Sequence, residues 1–352
     1  MPRHPSLQTG PVFVAQLNRA PTPLAFSART PAAARTWRNR TRSELRRTLL
    51  DAIPWRSCPL QPKRLQQVDR GDFIREKWLL CTSPGVFMPV YILRQKSSRG
   101  KQPTILAFHG HGYGAKDTVG LWEDGSERYK ADGYQKDFAI ALCRQGFVVA
   151  VPEIACFGER VSDFSYLNGQ IGQSAPSTCQ HAAMIAFHLG GSVLGLRMHE
   201  GLRLVDWLFT RADVDSKRIG AMGISGGGMH TLFSACLDER IQASVISGYV
   251  SDMRDSIFGM HHCPCNYVPG LSRFGDIADL LGLIAPRPVL VQAADHDPIF
   301  PIAGVKRTVA TARRHFRQSG AAGFPETEYF EGRHEIGGEA AYAFLARHLR
   351  PC

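Results

Sequence analysis

The stretch Ile219-Gly220-Ala221-Met222-Gly223-Ile224-Ser225-Gly226-Gly227-Gly228-Met229-His230 constrains the fold more than any other segment of the chain. It reads as a short buried strand, a very tight turn carrying Ser225, and the first turns of a helix. Gly223 and Gly227 stand two residues either side of the serine, giving the G-x-S-x-G pattern of a strained strand-to-helix corner. A serine held in that crowded conformation leaves its neighbours no room for a Cβ. The turn lifts the hydroxyl above the sheet, and the helix points its first N–H groups at the same spot. Glycine-rich turns also occur without chemistry, so the weight falls on the order of the elements and polar residues around this one.

Strands and helices alternate along most of the chain. Glu76 to Cys81 and Phe87 to Leu93 flank a Thr-Ser-Pro-Gly turn and predict an antiparallel hairpin. Thr104 to Phe108 is a continuous apolar run, as expected of a strand covered on both faces. Strands are then expected at 147–151, 219–224, 241–246, 288–293 and 326–330. Helices are expected at 138–144, 195–209, 227–237, 276–284, 304–316 and 339–349. Such alternation builds an α/β fold with a mostly parallel central sheet flanked by helices. A helix over Ser43 to Ala52, with Leu45, Leu49 and Leu50 on one face, precedes it. The Gly- and Ser-rich segment 153–194 is expected to form a loop or small lid.

The formal charge of +11 is concentrated at one end. Residues 1–70 hold 13 Lys/Arg against 3 Asp/Glu, a balance of +10, which leaves +1 for the other 282 residues. No aromatic interleaving or motif accompanies that basicity, so a nucleic-acid partner is not expected. Residues 1–42 have no acidic residue and are rich in Pro, Ala and Thr; they are expected to be a disordered basic extension. Residues 43–352 form a single catalytic domain in this reading. An Arg-rich, acid-poor start also describes an organelle transit peptide, whereas the run Val12 to Ala15 is too short for a secretory signal. No stretch approaches the ~20 apolar residues of a membrane span. Nine scattered cysteines suggest reduced thiols and a cytoplasmic default. The cluster His261-His262-Cys263-Pro264-Cys265 has no second ligand pair at usual spacing, so a structural loop without metal is expected.

A serine hydroxyl needs a base to take its proton and a carboxylate to orient that base. In a strand–serine–helix fold these partners come in the order Ser, acid, His, at the ends of later strands. The strand at 288–293 runs into Asp295-His296-Asp297-Pro298-Ile299-Phe300-Pro301, and the last strand runs into Glu331-Gly332-Arg333-His334. His334 is the candidate base. Asp297, before a stiff Pro-Ile-Phe-Pro run, is the favoured acid; Asp295 is the alternative. Negative charge on the carbonyl oxygen requires two preorganised donors. The backbone N–H of Gly226 supplies one, and that of His111, in the loop His109-Gly110-His111-Gly112-Tyr113-Gly114, is expected to supply the other. The two histidines of that loop would otherwise suggest a metal.

Together with Phe157-Gly158-Glu159-Arg160, Val214 to Ile219, Leu237 to Ile241 and Ala285 to Pro288, these pieces make the chain resemble the α/β-hydrolase superfamily over roughly residues 75–350. Within it the likeness is to the dienelactone-hydrolase and acetyl-xylan-esterase-like groups, which border the prolyl-oligopeptidase-type hydrolases. The resemblance implies a cofactor-free serine hydrolase acting on a small carboxylic ester, with no metal. Arg333 departs from the pattern, standing where a glycine often precedes the histidine, and residues 1–42 have no counterpart in it. Glu159, Arg160 and Arg197 are candidate substrate-binding residues, with charge pairs bracing a lid as the plainer account. The loop 260–269 is a candidate wall of the acyl or alcohol pocket. Peptidase, lactone hydrolase and acyltransferase activities use the same fold, and a binding protein without turnover is the remaining possibility.

Overall fold

The computed structural model of the chain describes residues 9–163 and 178–350. Among them nine strands form one sheet: β1 (Lys63–Asp69), β2 (Phe73–Ser83), β3 (Val86–Gln95), β4 (Gln102–Phe108), β5 (Val148–Pro152), β6 (Val214–Ile224), β7 (Ile241–Ser247), β8 (Val289–Ala294) and β9 (Glu326–Phe330). Their spatial order is β1-β2-β3-β5-β4-β6-β7-β8-β9. The first three pair antiparallel, β3 runs antiparallel to β5, and every later pair is parallel.

Both faces of the sheet are buried, which explains the unbroken apolar runs. Alternate side chains of a strand point to opposite faces. Leu106 and Phe108 of β4, Val148 and Ala150 of β5, and Ile219 and Ala221 of β6 enter one core. Ile105, Ala107, Val149, Val151, Met222 and Ile224 enter the other. Helices α3 (Phe138–Arg144) and α9 (Glu339–Leu349) cover the second core. Helices α5 (Val193–Leu208), α6 (Gly226–Leu237), α7 (Ile277–Ile284) and α8 (Ile302–Gln318) cover the first. The expected α/β architecture is therefore present, and no helix among the described residues is long and apolar enough to cross a membrane.

The amino-terminal segment departs from expectation. Residues 1–8 lie outside the described residues, but α1 (Gly10–Arg19) and α2 (Pro31–Arg46) are formed. The predicted 43–52 helix is the end of α2, continued through a π turn at Arg47–Asp51. Its start is not Ser43. Thr30 caps it, accepting from the Ala33 N–H at 3.2 Å, with Pro31 preset for the first helical position. What docks α2 is polar as well as apolar. Buried Arg42 donates to the carbonyls of Cys236 (2.8 Å) and Leu283 (3.0 Å), and Trp37 donates to those of Leu24 and Ala25. An acid-free, arginine-rich segment can thus be ordered, because guanidinium groups satisfy carbonyls at helix ends while their stems pack. Strand β1 is a further addition to the expected elements; mostly exposed, it has too few apolar residues to stand out in the sequence.

Of the segment expected to form a lid, residues 164–177 lie outside the described residues. The rest holds a 3-10 turn at Gly158–Arg160 and a helix, α4 (Thr178–His188), that exposes Met184 and Ile185.

Candidate active site

Ser225 sits between β6 and α6 with φ 57° and ψ −120°, a left-handed conformation that a side chain adopts only under constraint. Its N–H donates to the Ser247 carbonyl of β7 at 3.0 Å, and its carbonyl accepts from Met229 at 2.9 Å. The flanking glycines are required by contact. A Cβ on Gly223 would fall on the Gly227 carbonyl and come within 2.7 Å of the Phe108 oxygen. A Cβ on Gly227 would fall on that same Phe108 oxygen. The corner is packed directly against the end of β4, which brings the β4 loop beside the serine.

His334, in the loop after β9, donates from Nδ1 to Asp297 Oδ2 at 2.7 Å. Asp297 is buried, and its other oxygen accepts from the N–H groups of Ile299 (2.8 Å) and Phe300 (3.0 Å). The Pro-Ile-Phe-Pro run therefore fixes the carboxylate by its backbone amides. Asp295 is exposed, and of the two aspartates it is Asp297 that meets His334. The imidazole lies near-parallel to the rings of Tyr134 and Phe300, at centroid distances of 5.6 and 5.8 Å. Gly248 leaves room for it: a Cβ there would meet the His334 ring at 3.1 Å. His334 Nε2 is buried and has no hydrogen-bond partner among the described residues.

Ser225, Gly226, His111 and His334 line one cavity of about 290 Å³, with Tyr134, Tyr249, Ile299, Phe300, Asn266 and the loop residues His261, His262 and Cys263. A larger cavity of about 610 Å³ lies between α1 and residues 253–276; it holds none of Ser225, Asp297 and His334, and Asn266 belongs to both walls. The smaller cavity is the one that Ser225 and His334 line.

The loop carrying His111 is held from beneath by groups the sequence does not single out. His109 Nδ1 donates to the Gly110 carbonyl (2.8 Å), and its Nε2 accepts from the Ile154 N–H (3.0 Å), which fixes the ring. With the Gly110 carbonyl so engaged, the trans peptide turns the His111 N–H the opposite way. Gln135 accepts from the Gly110 N–H at 2.7 Å, and the Tyr134 hydroxyl donates to the His111 carbonyl. Buried Glu153 accepts from the Ala115 N–H at 3.0 Å. Gly114, at φ 90°, has no alternative, because a Cβ there would fall on the Glu153 carboxylate. The His111 ring rests against Gly226, whose Cβ would lie 3.0 Å from Nδ1. Burial first, then the charge of Arg197, pushes this imidazole down to about 4, so it is neutral.

Glu159, Arg160 and Arg197 do not line this cavity, and their assignment to substrate is corrected. Arg160 makes a two-pronged ion pair with buried Glu200 (2.7 and 2.5 Å) and donates to the Glu153 carbonyl at 3.1 Å. Glu159 pairs with Lys77 at 2.6 Å. Arg197 is 1% exposed and donates to the Ala155 carbonyl at 2.9 Å. Arg160 and Arg197 face inward and brace the walls of the site, whereas Glu159 is exposed beside Lys77.

Comparison with known proteins agrees with this fold. The chain is 27% identical over 285 residues to a Bacillus subtilis (strain 168) protein provisionally named hydrolase YtaP, spanning 78% of this chain and 86% of that one. In fold it is similar to a Bacteroides fragilis NCTC 9343 protein provisionally assigned as an acetyl xylan esterase, with TM-score 0.75, 17% identity, and 96% and 89% of the two chains covered. It is also similar to a glucuronoyl esterase from Solibacter usitatus, with TM-score 0.63, 16% identity, and 93% and 98% covered. Matching the family's sequence model over residues 11–329, the chain belongs to the Abhydrolase family and has the α/β-hydrolase fold.

Proposed function

We infer that the chain is a serine esterase that cleaves a small carboxylic ester through an acyl-enzyme. The observation behind this reading is the 2.7 Å bond from His334 Nδ1 to Asp297, with the other ring nitrogen unpartnered in the cavity that Ser225 lines. Asp297 keeps the proton on Nδ1, which leaves the Nε2 lone pair to take the Ser225 proton as the oxygen attacks the ester carbonyl. The N–H groups of Gly226 and His111 stabilise the oxyanion. His334 then gives its proton to the leaving alcohol, and water, deprotonated by the same nitrogen, releases the acid.

A cavity of about 290 Å³ walled by Tyr134, Tyr249 and Phe300 suits an acetyl or similarly short acyl group. The names of the structural neighbours, acetyl xylan and glucuronoyl esterases, direct the search to esters on carbohydrates.

Fluorophosphonate labelling with peptide mapping, beside a p-nitrophenyl acetate-to-octanoate series, tests the reading. Labelling at Ser225 is expected, with turnover falling as the acyl chain lengthens and abolished in a folded Ser225→Ala variant. Turnover retained by Ser225→Ala would refute it.

A further inference from the structure

Outside the Ser-His-Asp set, the fold brings four separate chain segments to one sulfur-rich point. One ring nitrogen of His111 and the Sγ atoms of Cys263 and Cys265 lie within 4.8 Å of one another. Cys179, in the first turn of α4, faces Cys263 and Cys265, and Cys156 from the turn after β5. Cys179 and Cys265 are fully buried. His111 Nε2 is also buried, with no hydrogen-bond partner among the described residues. Arg197 stands at the same point and donates from Nη2 to Cys179 Sγ at 3.2 Å.

The orphaned His111 nitrogen supplies the independent clue, because a buried ring nitrogen with no hydrogen-bond partner among the described residues, set beside sulfurs, calls for one. Arg197, itself buried, aims its guanidinium at the same sulfurs. Three thiolates and a neutral imidazole make a donor set that suits tetrahedral zinc. One divalent cation with three thiolates carries a single negative charge, which Arg197 matches. Around such an ion the donor atoms stand roughly 3.5–3.8 Å apart, so the His111, Cys263 and Cys265 donors, already within 4.8 Å of one another, need only close up on it. Outer support is present: Asn266 Nδ2 donates to Cys265 Sγ at 4.0 Å, and Arg197 holds Cys179.

We propose that His111, Cys179, Cys263 and Cys265 bind one thiophilic divalent cation, zinc by its donor set. The ion ties α4 and the 261–266 loop to the loop that carries the His111 N–H, and so positions the oxyanion donor without touching substrate. Cys156, beside Cys179 and accepting from Ser162 Oγ at 3.6 Å, remains in the outer shell. The absence of a second ligand pair near Cys263-Pro264-Cys265 in the sequence is made good by residues brought from the loop after β4 and from α4. The site does not depend on the esterase reading.

The test is the metal content of the full chain, purified under reducing, chelator-free conditions with any affinity tag removed, then incubated with zinc chloride and desalted. About one zinc per chain is expected, released by a thiol-blocking mercurial. Cobalt in its place should give the visible absorption of tetrahedral thiolate coordination. Cys265→Ser and Cys179→Ser should retain less than about a tenth of that zinc, given the loss of one of four ligands. If either fails to fold, Cys263→Ser, at the half-exposed position, takes its place. Cys143→Ser and Ser225→Ala should hold zinc as the parent does, which separates this result from any failure of the esterase reading. Parent protein that keeps no zinc above background would overturn the proposal. So would ligand variants that bind as the parent does, or an intact mass showing Cys179, Cys263 or Cys265 already joined in a disulfide.

Discussion

Replacing Asp297 with Asn tests the site at its most quantitative point, because the two groups are nearly the same size and the surrounding hydrogen bonds dictate how the amide must turn. Asp297 Oδ1 accepts from the Ile299 and Phe300 N–H groups, and Oδ2 accepts from His334 Nδ1. An asparagine that keeps its oxygen on the two backbone donors must present its NH₂ to His334. Nδ1 then becomes an acceptor, and the proton moves to Nε2, the nitrogen that has to receive the Ser225 proton. Turning the amide the other way leaves two buried N–H donors facing an NH₂, at about 1–3 kcal/mol each. The wrong tautomer is therefore favoured by about 2–6 kcal/mol, a loss of about 30-fold to 10⁴-fold in productive enzyme. Losing the carboxylate opposite the imidazolium adds to this, so kcat/KM for p-nitrophenyl acetate should fall by about 10³- to 10⁵-fold. The melting temperature should barely move, since Ile299 and Phe300 keep their acceptor. Asp295→Asn is the matched control: the side chain is exposed, and activity should stay within about twofold. A tenfold or smaller loss in a folded Asp297→Asn, or a large loss in Asp295→Asn, would refute the assignment.

The packing carries two further expected outcomes. Arg42→Ala removes the donor to the Cys236 and Leu283 carbonyls and should cost about 2–4 kcal/mol; calorimetry should register this as a Tm lowered by about 3–5 °C, with kcat unchanged, and an unaltered Tm would mean that α2 is not docked as described. His230, stacked on Phe108 with ring centroids 3.9 Å apart, is pushed from 6.5 down to about 3 by burial and then by Arg197. The unfolded chain therefore takes up this proton first, and the stability present above pH 6.5 is lost as the pH falls toward 3. Between pH 7 and pH 5 the loss should be about 2 kcal/mol, read from urea unfolding at both pH values, and His230→Phe should lack that share of the slope.

The sequence is legible where one residue type answers to one physical demand. The apolar runs of β4 to β8 could only be strands covered on both faces, and Gly223 and Gly227 could only serve a corner packed on the β4 carbonyls. Asp297 is separable from Asp295 through the stiff Pro-Ile-Phe-Pro run, whose amides hold its carboxylate. Where the demand is met from a distance, the sequence is silent. Nothing near Arg42 announces that the Cys236 and Leu283 carbonyls at the ends of two distant helices need donors, so an acid-free segment that reads as disordered is in fact partly docked. Nothing near Gln135 announces the Gly110 N–H it accepts from. Cys263 and Cys265 are two residues apart in sequence, but the partners that change their meaning, His111 and Cys179, come from the loop after β4 and from α4.

The misplaced charges share one cause, and it concerns how an oxyanion loop is kept still. Glu159, Arg160 and Arg197 lie close in sequence to the site, and nearness alone suggests that they meet substrate. Yet in the proposed mechanism the N–H of His111 serves only if its peptide cannot rotate. That peptide is fixed through the Gly110 carbonyl by His109, and His109 is fixed by the Ile154 N–H. The chain beyond Ile154 is held in turn by Arg160, which ties the Glu153 carbonyl to Glu200 on α5, and by Arg197, which ties the Ala155 carbonyl to the same helix. Arg160 and Arg197 therefore act at one remove from the reacting atoms, while the exposed Glu159 pairs only with Lys77. Exchanging either arginine for a neutral residue of similar shape should lower kcat by loosening the donor while leaving KM for a small ester nearly unchanged. A residue that held substrate would raise KM instead.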